Sequence, residues 1–166
     1  LSYEMEGIGH ELVNPPLRNE KDRLAVIQGL KDGTIDCIGT DHAPHTQSDK
    51  EAGACGFTGI ELSFSVCNTT LVHGGEKWQS TGESIQPTIT LSELSKYMSA
   101  NPARILKLKK GLLKVGYSAD LVLVDSKKEF IVDSATFKSK GRYTPFNGRK
   151  IYGKVLETWK AGKKVF

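Results

Sequence analysis

The sequence is that of an α/β chain whose helix-and-strand part covers residues 1–110 and whose all-β part covers residues 111–166. Three observations carry this reading. Leu24, Ile27 and Leu30 recur at helical spacing and lead through Gly33 into the apolar run Ile35-Asp36-Cys37-Ile38. A dense set of titratable groups, Gly39-Thr40-Asp41-His42-Ala43-Pro44-His45, follows that run directly. After Gly111 helical spacing stops, and β-branched runs divided by Asn147-Gly148 and Ala161-Gly162 take over.

Each element has its own local warrant. Asn19 stands at a helix N-cap with Asp22 three residues on, and Gly33 supplies the stop. Residues 35–38 are then expected to form a short strand buried on both faces. Asp41 and His45 fall just beyond its C-terminal end, where an α/β barrel carries its chemistry. The Gly-rich stretch 53–59 reads as a loop closing over that mouth, and Ile60, Phe64, Cys67 and Leu71 mark one face of the next helix. Residues 74–89, with Gly74, Gly75, Gly82 and Pro87, read as a loop. Thr90 and Glu93 form a capping box ahead of Leu94, Tyr97 and Met98. Asn101-Pro102 restarts a helix, Asn as cap and Pro in the first turn, running to about residue 108. Strands are expected at 119–125, 129–132, 154–159 and 164–166, packed to the side and contributing nothing to the mouth.

Composition narrows the function classes. Charged residues at 25% and hydrophobic ones at 38% fit a soluble globular chain rather than a disordered or collagen-like one. No apolar run approaches the roughly 18 residues of a membrane span, so no membrane partner is expected. The first ten residues carry Glu4 and Glu6 without a basic or apolar region, which is not a signal peptide. Leu1 in place of Met leads us to expect that translation began upstream. Cys37, Cys55 and Cys67 are odd in number and form no C-x-x-C pair. That argues for a reducing, cytoplasmic setting and against a zinc site built from thiolates. Cys37, in its apolar run, reads as an inert core residue.

Charge is divided unevenly. Residues 1–100 hold 7 Lys and Arg against 14 Asp and Glu, while residues 101–166 hold 16 against 5. The basic third consists of scattered lysines without aromatic stacking partners between them, so no nucleic-acid partner is expected.

The motifs taken together are more specific than any one residue. Gly39-Thr40-Asp41-His42-Ala43-Pro44-His45, four residues and then Lys50 resembles the signature of the dihydroorotases, cyclic amidohydrolases of pyrimidine synthesis. Asn14-Pro15-Pro16-Leu17-Arg18 is similar to a second motif of that family, with Asn14 lying 27 residues before Asp41. Asn101-Pro102-Ala103 and Gly116-Tyr117-Ser118-Ala119-Asp120-Leu121-Val122 resemble segments of amidohydrolases generally. Ser139-Lys140-Gly141-Arg142-Tyr143-Thr144-Pro145-Phe146 is similar to the dihydroorotase C-terminus.

The resemblance implies a (β/α)8 barrel of the TIM type beside a composite β-sandwich built from both chain ends. It implies interconversion of dihydroorotate and N-carbamoyl-aspartate, with one or two zinc ions polarising the amide carbonyl and activating water. By the same resemblance Asp41 binds metal and shuttles the proton from water to the leaving nitrogen. Asn14 and His45 hold the substrate, and Cys55 and Gly56 touch its ring through their backbone. The family carries an aromatic or similar residue where Cys55 stands. Arg18 reads either as a contact for an anionic substrate or as a helix-start surface residue. His42 reads as a packing residue, and His10 and His73 as surface residues.

One departure is large. The family's His-x-His pair, bridging lysine carbamate and two middle-strand histidines have no counterpart, since the four histidines are His10, His42, His45 and His73. A barrel of this type takes about 250 residues, and only about 110 precede the β part. The chain is therefore expected to be the C-terminal part of the enzyme, inactive and weak for zinc on its own. Its partners would be the missing N-terminal half or a second copy. Two alternatives stand beside this: another cyclic amidohydrolase such as an allantoinase or hydantoinase, or a non-catalytic truncated module acting in protein interaction. The Ala43-Pro44-His45 run speaks against the first, since the dihydroorotate carboxylate calls for that histidine.

Overall fold

Helix α1, Glu20–Asp32, starts where the side chain of Asn19 accepts a hydrogen bond from Asp22 N at 2.8 Å. It ends at Gly33, whose φ of 82° only glycine adopts without strain. The computed structural model that shows this describes residues 1–2, 4, 11–74 and 87–166. Thr46 and Thr90 build complete capping boxes, with Asp49 and Glu93, for α2 (Gln47–Glu51) and α4 (Leu91–Ser95). Most of the expected loop at 74–89 lies outside the described residues. So does His10.

Two helices run longer than their α-helical parts. α3, Ser63–Cys67, continues into a π-helical turn at Asn68–Val72. α4 continues through a second π turn, Lys96–Ala100, into α5, Asn101–Ile105. Asn101 is therefore not an N-cap: it has helical angles, φ −67° and ψ −48°, and its N–H reaches back five residues to Lys96 O. The wide turn explains why no new helix start is needed. It makes room for Pro102, which has no N–H and whose ring would clash with an ordinary α-helical turn.

The run at 35–38 is not a strand. Ile35 N donates to Gly29 O at 2.8 Å and Ile38 N to Tyr97 O at 3.1 Å, while Asp36 O accepts from the Asn101 side chain at 2.7 Å. Three of its backbone groups are thus taken by helical segments, and no ladder forms among the described residues. Ile35 and Ile38 are only half-buried, not covered on both faces as expected.

The sheet is antiparallel, in the order β1 (Leu121–Ile131), β2 (Lys150–Lys160) and β3 (Lys163–Lys164). The two strands expected at 119–125 and 129–132 are one strand with a wide irregularity. Register jumps from Asp125 opposite Lys154 to Glu129 opposite Tyr152, so residues 126–128 face Gly153 alone. Asp125 accepts from Lys127 N and Lys128 N, both at 3.0 Å, giving those amides partners outside the ladder. Ala161 and Gly162, both at positive φ, make the tight β2–β3 turn. The segment after Gly111 is not wholly β, since Ser134–Thr136 is a 3-10 turn and residues 137–149 are irregular.

Helices and sheet join at the irregularity. Asn68, fully buried, donates to Ser126 O at 2.9 Å and Tyr152 O at 3.0 Å, and Thr69 accepts from Tyr152 N at 2.7 Å. These side chains satisfy strand groups that the break in the ladder leaves unpaired. Two apolar clusters result. Leu30, Leu71, Ile89, Leu94 and Tyr97 bring the helices together, and Leu62, Val132, Phe137, Phe146 and Ile151 fasten α3 to the sheet. Asp120, from one of the shared motifs, is structural: Lys110, Ala161 N–H and Ser118 hold its carboxyl well below the usual range. Leu121, Val122, Leu123 and Leu156 remain at least 40% exposed along the strands. Among the described residues no helix is long and apolar enough to cross a membrane.

Candidate functional site

Asn14, Asp41, Cys55 and Gly56, distant in sequence, line one cleft of about 430 Å³. Residues 53–59 bring them together. Gly56 N donates to Leu12 O at 2.9 Å, two residues before Asn14, and Ala43 N donates to Phe57 O at 3.3 Å, two residues after Asp41. Gly56 has φ 115°, and a Cβ there would lie 2.6 Å from the Ala43 Cβ, so only glycine permits this approach.

Asp41 itself adopts φ 45°, one of three non-glycine residues found at positive φ among those described. Such a conformation costs on the order of 1–3 kcal/mol and persists only where surroundings enforce it. It turns an exposed carboxylate into the cleft.

The two motif histidines do different work. His42 Nδ1 accepts from Gly59 N at 3.3 Å and Ile60 N at 3.4 Å, so Nδ1 is the unprotonated nitrogen. Its Nε2 lies 3.5 Å from Ser139 Oγ, and the ring packs the loop against the C-terminal segment. His45 is not among the residues lining the cleft. Its Nε2 lies 3.0 Å from Cys55 O, a carbonyl that can only accept, so Nε2 carries the hydrogen. The imidazole stands behind the Cys55-Gly56 pair.

The chain beyond Gly111, expected to pack to the side, does contribute to this mouth. Phe146 lines the cleft and meets Phe57 edge-on, with ring centroids 6.0 Å apart. The irregular connection at 137–149 folds back on the loop, where Thr58 N donates to Tyr143 O at 2.8 Å and Thr58 Oγ1 to Gly141 O. A regular strand there would have kept these groups in the ladder.

Arg18, just before the N-cap of α1, is exposed and pairs with Asp22 in the first turn at 3.7 Å, a surface role. His73 stacks on Tyr152 and meets Ser126 O at 2.8 Å, away from the cleft. Cys37 is half-buried. Burial pushes the Cys67 thiol up to about 11, so it is no nucleophile.

Sequence reasoning gave no role to Glu11, Lys50 or Tyr143, which form a cluster beneath the loop. Lys50 was visible only as the last residue of a motif, and Tyr143 as one letter of another. Tyr143 is pushed up to about 12, by burial first and then by its hydrogen bond and charge contact with Glu11, so it stays a neutral donor. Among the described residues no three His, Cys, Asp or Glu side chains converge as metal ligands.

The model of the amidohydrolase family matches residues 6–165. The chain is 47% identical over 151 residues to the dihydroorotase of Clostridium botulinum (strain Eklund 17B / Type B), covering 91% of this chain and 35% of that protein. It is 50% identical over 145 residues to the dihydroorotase of Thermoanaerobacter sp. (strain X514), covering 85% and 31% respectively. Among solved structures it matches a D-hydantoinase from Bacillus sp. AR9 at a TM-score of 0.77 and 26% identity, over 93% of this chain and 33% of that one. An L-hydantoinase (dihydropyrimidinase) from Arthrobacter aurescens matches at a TM-score of 0.72 and 28% identity, over 93% and 34%. The chain spans about a third of the length of these relatives.

Proposed function

This chain belongs to the amidohydrolase family, and on that premise we propose that it is the C-terminal part of a dihydroorotase, interconverting dihydroorotate and N-carbamoyl-aspartate. Residues 1–110 would be the last strands and helices of the (β/α)8 barrel, and 111–166 the C-terminal share of a composite β-sandwich. The uncovered apolar residues of β1 and β2 support that division, because a sheet face of this kind needs a covering layer. That layer would come from the missing N-terminal part or a second copy. Free Cys37, Cys55 and Cys67 favour a cytoplasmic setting.

The observation that carries the reading is the convergence of Asp41, Asn14, Cys55 and Gly56 on one cleft. In this reading water adds to the ring amide carbon and gives its proton to Asp41. Asp41 returns that proton to the ring nitrogen as the C–N bond breaks. Asn14 holds the substrate's ring and carboxylate. His45 reaches the same carboxylate only by releasing Cys55 O, exchanging one hydrogen bond for a charge-assisted one. Zinc, one or two ions, is the cofactor we infer for the complete enzyme. The described residues do not by themselves fit a catalytic zinc, which needs three protein ligands where Asp41 offers one carboxylate.

The test is an assay of the complete protein and of this chain alone. The complete protein should open dihydroorotate in preference to hydantoin or allantoin, and the 166-residue chain should open none and take up zinc only weakly. Preference for hydantoin would move the reading to the sister activity. Turnover or stoichiometric zinc in the isolated chain would show that the site is complete within it.

Asn14→Ala and His45→Ala in the complete protein should each weaken substrate binding by about 1–3 kcal/mol, with kcat less affected. Steady-state KM and kcat for dihydroorotate check this.

A further inference from the structure

Lys50 is a buried cation, 8% exposed, at the end of α2. Its Nζ donates to Leu12 O at 2.9 Å and to Gly56 O at 2.9 Å. It lies 3.9 Å from Glu11 Oε2 and 5.2 Å from the centroid of the Tyr143 ring. Leu12 stands two residues before Asn14, and Gly56 is itself a cleft wall. Because Gly56 N also donates to Leu12 O, the two walls are joined through both polar groups of Gly56. Glu11 and Tyr143 flank the ammonium, and Tyr143 Oη donates to Glu11 Oε1 at 2.5 Å. Neither of them, nor Lys50, lines the cleft.

We propose that Lys50 is a positioning residue for the ring-binding walls, fixing the separation of Asn14 from Cys55 and Gly56 through its bonds to the Leu12 and Gly56 carbonyls. This rests on the cyclic-amide reading above. The chemistry of the side chain supports it. Burying a charge is costly unless it is paired and hydrogen-bonded, so for filling space alone an apolar residue of the same volume would be cheaper. An ammonium on a flexible stem directs three donors from one compact point. Here two of them meet carbonyls from two different segments, with the Glu11 carboxylate on a third side. Glu11 Oε2 is buried with no hydrogen-bond partner, and the nearby ammonium is the charge that balances it. Removing the ammonium therefore leaves the walls joined by the Gly56 N–Leu12 O bond alone and Glu11 uncompensated.

The test uses the complete protein with Lys50→Met. KM for dihydroorotate should rise about tenfold or more while kcat stays within about threefold, the signature of lost substrate positioning. Hydrogen exchange at the Gly56 amide should quicken at least about tenfold, reporting the released wall. Faster exchange with unchanged KM would make Lys50 merely structural and overturn the proposal. So would a raised KM with unchanged exchange, or a loss confined to kcat. If Lys50→Met does not fold, Lys50→Arg carries the same test, because it keeps the charge but presents a planar fork on a longer stem. A KM raised about threefold with faster Gly56 exchange supports the proposal there, and wild-type values of either overturn it. Absence of dihydroorotate turnover in the wild type counts against the dihydroorotase reading instead. The KM comparison is then made with hydantoin, whose ring the same walls would hold, beside the exchange measurement.

Discussion

Asp41→Asn in the complete protein is expected to lower kcat by about 10³-fold, within the range that a positioned acid–base group contributes. The substitution isolates the chemistry from the fold. Asn matches Asp in shape and tolerates the left-handed region nearly as well, so the φ of 45° at this position survives. What is lost is the ability to take the water proton and hand it to the leaving nitrogen. A melting temperature equal to that of the wild type, measured beside the rate, would show that the fold is intact. Near-normal turnover in Asp41→Asn, with activity lost in His45→Ala, would transfer the base role away from Asp41.

Gly141→Ala should damage the site through packing alone, from behind His45. An added Cβ would lie 2.7 Å from both His45 N and His45 O, which are backbone atoms and cannot swing aside. Overpacking of this kind costs about 1–3 kcal/mol. Relief requires moving the His45 backbone, which pulls the imidazole off Cys55 O and disturbs the loop that carries Gly56. Both a lowered melting temperature and a raised KM are therefore expected. Gly39→Ala is the stability control, because nothing lies within 4 Å of its added methyl. Its effect on stability should stay within about 0.5 kcal/mol. If calorimetry finds the two variants equally stable, the Gly141–His45 approach is softer than its geometry implies.

The sequence by itself determined the features whose physics is local. Asn19 with Asp22, Thr90 with Glu93, and the stop at Gly33 rest on hydrogen bonds three residues apart or on one residue's φ. The turn at Ala161-Gly162 is of the same kind. The motif around Asp41 could be read for its chemistry because its residues are contiguous. Only the tertiary structure decided where each unpaired backbone group finds its partner. The apolar run at 35–38 has the composition of a strand, yet the Ile35 and Ile38 amides go to Gly29 and Tyr97 and no ladder forms among the described residues. Asn101 looks like a cap, but the π turn before it absorbs Pro102 and frees its side chain for Asp36. Phe146 enters the cleft because the chain between β1 and β2 leaves the sheet and folds over residues 53–59. The Lys50 cluster joins groups 38 and 132 residues apart in sequence, Lys50 to Leu12 and Tyr143 to Glu11. No periodicity or spacing encodes such a pairing, because it depends on which carbonyls the fold has buried and left for a side chain to satisfy.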